Sequence, residues 1–138
     1  MNLRKIEPNE VVATWPKARA FIMRAVRYED PEYSEMDVVN LLVAGERTLF
    51  VIEDDGIVGA VVAGIISYRL TKRCRIHWCG GDGMPDWVHL IDVIEEWAMK
   101  HGCTSVRISG RKGWERVFPD YDHAGVILVK RLSHENAH

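Results

Sequence analysis

The stretch "CGGDGMPDW", Cys79–Trp87, places three glycines and a proline directly ahead of a helical pattern. Glycines let an anion approach the backbone closely, and the free N–H groups at a helix start converge on negative charge. Gly80, Gly81, Asp82, Gly83 and Met84 are therefore candidate anion-binding residues. The same residues also make an ordinary strand-to-helix turn. Proline suits the first helical position, and an acidic residue suits the next. Both readings stand at this point.

His77, two residues before the loop, is the candidate general base, because imidazole titrates near neutrality. A hydrogen-bonded structural histidine is the alternative. Strict strand alternation puts His77 and Cys79 on one face, with Ile76 and Trp78 on the other. His77, Cys79 and Cys103 match no zinc spacing, so no metal is expected. The segment "EDPEYSEMD" could attract a basic or amine substrate, although a solvated loop is the commoner use of such a segment. Arg69, Lys72, Arg73 and Arg75 gather at one turn, and Arg111, Lys112 and Arg116 in a second cluster; both could meet phosphates, of a ligand or of a nucleic-acid backbone, and solvated charge is the favoured reading.

The elements that must position these groups follow from periodicity. Leu3–Ile6 is a short strand. Residues 10–27 carry apolar side chains at spacings of three and four, which predicts an amphipathic helix bent or broken at Pro16. Ser34, with Asp37 three residues on, caps a second helix that Gly45 ends. Thr48–Glu53 and Ile57–Leu70 flank the hairpin signal "DDG", and Gly59 and Gly64 within the second strand suggest a bulge or a close backbone approach. Cys74–Cys79 makes a third antiparallel strand. Trp87–Ala98 forms a helical stripe ending at "KHG", and Thr104–Ser109 is a strand. "GRKGWERVFPDY" is a short helix, Ala124–Leu132 a closing strand, and residues 133–138 a polar tail.

With 138 residues, 47% hydrophobic and 28% charged, the chain reads as one globular domain over 1–132. Its net charge of −2 gives no global attraction to nucleic acid, although basic side chains outnumber acidic ones in the second half. No apolar run is long enough to span a membrane, and the first residues lack the apolar core of a secretory signal. Three cysteines without a CxxC pair fit reduced thiols and a cytoplasmic location.

The element order β–α–α–β–β–β–α–β–α–β resembles the GNAT (Gcn5-related N-acetyltransferase) superfamily over nearly the whole chain. "IEEWAMKHGCTSVRIS" is similar to that family's cofactor-carrying helix and following strand, and "AGVILVKRL" to its closing strand. The wording "RKGWERV" resembles small phage-encoded GNAT-like proteins. The resemblance implies an α+β fold with a mixed, mostly antiparallel sheet and helices on both faces. It also implies acetyl-CoA as cofactor, its pyrophosphate held by the Gly80–Met84 loop, and an N-acetyltransferase acting on an amine. The family's acid tyrosine most nearly matches Phe118, and Tyr121, three residues on, is the substitute candidate. Trp78 occupies the family's Gln/Arg position. Asp82, Pro85 and Trp87 also depart from its phosphate loop, and these departures support a second reading. In that reading the chain is a non-catalytic binding or accessory protein with a degenerate cofactor loop. Edge strands leave a homodimer open.

Overall fold

The computed structural model describes residues 1–82, 88–109, 118 and 120–133. Five strands form one sheet in the order β1 (Asn2–Ile6), β2 (Thr48–Glu53), β3 (Ile57–Ser67), β4 (Lys72–Gly81) and β5 (Cys103–Ile108). The first four pair antiparallel, and β5 runs parallel to β4 after the crossover through α3 (Asp92–Lys100). Helices α1 (Val11–Glu29) and α2 (Glu35–Val43) connect β1 to β2. Among the described residues, no helix is long and apolar enough to cross a membrane.

The sheet separates two cores. On one face Trp15, Ala18, Ile22 and Val26 of α1 and Val38 and Leu42 of α2 cover Leu49, Val51, Val62 and Trp78. On the other, Ile94 and Ala98 of α3 cover Phe50, Val61, Ala63, Cys74, Ile76 and Cys79. Strands buried on both faces read as continuous apolar runs, which explains "TLFVIE" and "IVGAVVAGII".

Helix α1 runs unbroken through Pro16. Proline removes one N–H, which leaves the carbonyl of Val12 without its helical donor. Val12 is 72% exposed, so water can satisfy that carbonyl and the helix need not break. Its companion α2 starts as the capping box implies, with the Asp37 N–H donating to Ser34 Oγ and the Ser34 N–H to Asp37 Oδ2. Strand β4 is longer than its sequence pattern suggests and takes in Gly80 and Gly81, which the sequence assigned to the loop. The helix expected from Trp87 begins as a 3-10 turn, Val88–Ile91, before α3.

Two further expectations are corrected. The alternation along β4 breaks: Ala63 pairs with Ile76 but Val62 with Trp78, so His77 is the extra residue of a bulge. Consequently Ile76 and Cys79 share the α3 face, while Trp78 lies in the α1/α2 core. A bulge shifts every later residue to the opposite face, and periodicity by itself does not reveal it. Residues 124–132, expected as the closing strand, have no strand partner among the described residues and are exposed throughout. The proposed helix over 110–117 lies outside the described residues.

Candidate active site

The parallel ladder between β4 and β5 runs only from Lys72↔Cys103 to Ile76↔Ile108. Beyond it, Trp78 to Gly81 keep β3 as their neighbour, with His77 bulged out between them and the ladder. Among the described residues no strand pairs with the other side of this stretch. An unpaired strand edge presents a row of N–H and C=O groups to any extended chain that carries amides. The bulge at His77 marks where the divergence begins, the kind of position at which bulges re-aim side chains towards a site.

His77 is packed tightly there. A Cβ on Gly64 would come within 3.1 Å of His77 Nε2, so the absence of a side chain at Gly64 makes room for the imidazole. The Arg47 guanidinium lies 4.8 Å from the Trp78 ring centre and 5.5 Å from that of Tyr33, stacked by cation–π attraction. Tyr33 meets Trp78 edge-on at 5.5 Å. Arg75 Nη2 donates to Ser109 Oγ at 3.3 Å, from just past the end of β5. Arg47 Nη1 and Arg75 Nε are buried without a hydrogen-bond partner among the described residues. Burial, followed by the charges of Arg47 and Arg75, pushes the His77 pKa down to about 3. His77 is therefore a neutral imidazole at physiological pH.

Tyr121 is placed elsewhere. Its hydroxyl donates to Glu95 Oε2 on α3 at 2.6 Å, and its ring packs 5.3 Å from that of Phe118. Both aromatics belong to the α3-side core, whereas His77 faces Arg47 and Trp78 on the α1/α2 side. Burial and the Glu95 hydrogen bond push the Tyr121 pKa far up, so it keeps its proton. The structure does not bring His77 and Tyr121 together on one face of the sheet.

Among the loop candidates, Gly80 and Gly81 pair with Ala60 and Gly59. A Cβ at Gly80 would lie 3.0 Å from the Phe21 carbonyl oxygen, so helix α1 leaves little room for a side chain here whatever the loop binds. The Asp82 N–H donates to the Val58 carbonyl at 2.8 Å. Gly83 and Met84 lie outside the described residues. The described residues include no cluster of metal-ligating side chains. Cys74 and Cys79 are buried thiols whose pKa values burial pushes up to about 12.

Sequence reasoning missed Arg47, Asp30 and Glu95. Each acts through a partner 26 to 48 residues away or across the sheet, a separation that carries no local signal. The acidic segment was visible, and here it acquires a shape. Glu32, Tyr33, Asp37, Asn40 and Glu46 line an open cleft of about 470 Å³. Tyr33 belongs both to that cleft and to the aromatic group beside His77.

No protein-family model matches the chain, and no curated protein matches its sequence. Solved structures do match its fold. An aminoglycoside acetyltransferase from an uncultured soil metagenomic sample, in complex with sisomicin, is 14% identical, with 96% of each chain covered and a TM-score of 0.65. A ribosomal-protein-alanine N-acetyltransferase from Brucella melitensis biovar Abortus 2308 is 13% identical over 96% of this chain and 100% of that one, with a TM-score of 0.67. A probable acetyltransferase is 13% identical over 96% and 99%, with a TM-score of 0.69. At such identities the likeness is one of fold.

Proposed function

Starting from a chain with the GNAT fold, we propose that it is an N-acetyltransferase that uses acetyl-CoA and acts on a cationic amine. The observation that carries this reading is the edge of β4 from His77 to Gly81, unpaired among the described residues beside the point where β5 ends its pairing. A CoA arm is an extended chain with amide groups, the class of ligand a free strand edge accepts. Acetyl-CoA, when bound, supplies the activated acyl group.

The chain's own residues would do the rest. Glu32, Asp37 and Glu46 draw a cationic amine into their cleft. Neutral His77 accepts a hydrogen bond. With its pKa lowered to about 3 it is a weak base, suited to orienting a hydrogen-bond donor rather than to taking its proton. Tyr121 can donate a proton only after exchanging its bond to Glu95. Of the loop residues, Gly80 and Asp82 already have structural uses, so phosphate contacts fall to Gly81, Gly83 and Met84.

Those same structural uses favour the second reading, a GNAT-fold binding or accessory protein without the cofactor. Titration calorimetry with acetyl-CoA, paired with amide hydrogen exchange, separates the two. The enzyme reading expects saturable heat and slowed exchange at outward-facing amides of residues 77–81. Absence of both at millimolar acetyl-CoA would reject it in favour of the accessory reading.

A further inference from the structure

Arg47, Arg75 and His77 gather around Gly64 on the α1/α2 face of the sheet. Arg75 is the ladder partner of Gly64 across β3 and β4. A Cβ on Gly64 would come 3.5 Å from Arg47 Cγ and 3.1 Å from His77 Nε2. Cys74 and Ile76 face the α3-side core, so strand alternation turns Arg75 to the other side. There its Nη2 reaches Ser109, just past the end of β5.

Two N–H groups of this cluster lack an acceptor. Arg47 Nη1 and Arg75 Nε are both buried and unbonded among the described residues. Neither guanidinium is paired there with a carboxylate, whereas Arg4 meets Glu53 and Arg19 meets Glu35. A buried charged donor without an acceptor is expensive, and this fold keeps two around one glycine. Guanidinium N–H groups match carboxylate oxygens in both geometry and charge. One carboxylate, with two oxygens, would satisfy both.

We propose that the amine acted on is an α-amino acid, its carboxylate held by Arg47 Nη1 and Arg75 Nε beside His77. The inference rests on the acetyltransferase reading and names the substrate class of that same site. Because His77 shares the space over Gly64 with both arginines, the amine belongs on the carbon next to the carboxylate. Burial, and then the charges of the two arginines, hold the imidazole unprotonated, so it can accept a hydrogen bond from the ammonium. Tyr33 lines the acidic cleft and its ring carries Arg47, so an ammonium drawn to that cleft arrives beside the carboxylate site. An amine without a carboxylate leaves both buried N–H groups unbonded, which is how such a site rejects an analogue.

The probes are the common L-α-amino acids, their methyl esters, which lack the anionic group, and inorganic phosphate. Each is titrated into isotope-labelled protein without acetyl-CoA, and the arginine side-chain N–H resonances are followed by NMR. At least one amino acid should shift Arg75 Nε–H and the Arg47 guanidinium saturably. Its ester should bind about 10- to 100-fold more weakly, the loss expected for a charge-assisted hydrogen bond. Arg75→Gln should weaken the acid to the level of its ester, and it leaves the stacking of Arg47 on Trp78 in place. Arg75→Lys, which keeps the charge but not the Nε–H, should weaken it too. Equal binding of acid and ester would overturn the proposal, as would wild-type affinity in both Arg75 variants. So would a response to phosphate alone, or none to any amino acid at high millimolar concentration. Acetyl-CoA is absent throughout, so a failed carboxylate site and a failed cofactor site are read separately.

Discussion

Trp78 Nε1 donates to Asp30 Oδ2 at 2.8 Å, tying the middle of β4 to the residue that ends α1. Trp78 is 1% exposed, and its ring also carries Arg47 and meets Tyr33. The wall beside His77 is thus held by one indole. Trp78→Phe keeps most of the ring contact but removes the donor. We expect it to cost about 1.5–3 kcal/mol in urea unfolding, the range for a hydrogen bond to a charged group. Asp30→Asn, which keeps an acceptor, should cost less. Equal losses for the two variants would mean the bond is not what matters.

Glu35 links the two helices of the same face. It accepts from Arg19 Nε at 2.9 Å and from Trp15 Nε1 at 2.7 Å. The Arg19 hydrogen bond first, and then that of Trp15, lower its pKa from an ordinary 4.5 to about 2. A carboxylate with a lowered folded pKa contributes stability above its unfolded pKa and loses it as pH falls. Wild-type stability should therefore drop more steeply than that of Glu35→Gln between pH 4.5 and pH 2. Thermal melts across that window check the difference in slope.

His77 has the opposite chemistry and the same sign. Its pKa falls from 6.5 to about 3, so between those values the unfolded chain binds the proton that the folded chain refuses. Stability attributed to His77 is complete above pH 6.5 and is lost as pH falls towards 3. The His77 ring resonances should stay those of neutral imidazole at pH 5, and His77→Gln should flatten the melting-temperature profile from pH 6.5 to pH 4. A His77 titration midpoint near 6.5 would show that the imidazole is solvated.

Gly80 answers to helix α1. With the Phe21 carbonyl oxygen 3.0 Å from a modest Cβ, Gly80→Ala must push strand and helix apart. We expect a loss of about 1–3 kcal/mol, typical of overpacking at a tight contact. Chemical denaturation of the variant without any ligand measures it. An unchanged midpoint would return Gly80 to the role of a loop glycine.

Local chemistry is what the sequence determined. Periodicity located α1, α2 and the strands β2 to β5, and the Ser34–Asp37 pair fixed where α2 begins. Gly64 was legible as a close approach, though not as an approach to His77. The element order was enough to anticipate the acetyltransferase fold. Tertiary structure decided which residues meet. One extra residue at His77 moved Cys79 away from it and put Trp78 among the helices, because a bulge is a property of a strand pair and not of a strand. Pairing with β3 drew Gly80 and Gly81 into β4, and packing against α3 holds Tyr121 on the face opposite His77. The exposure of residues 124–132 is likewise beyond sequence reasoning. An apolar run states that it needs a partner, and only the fold shows whether its own chain supplies one.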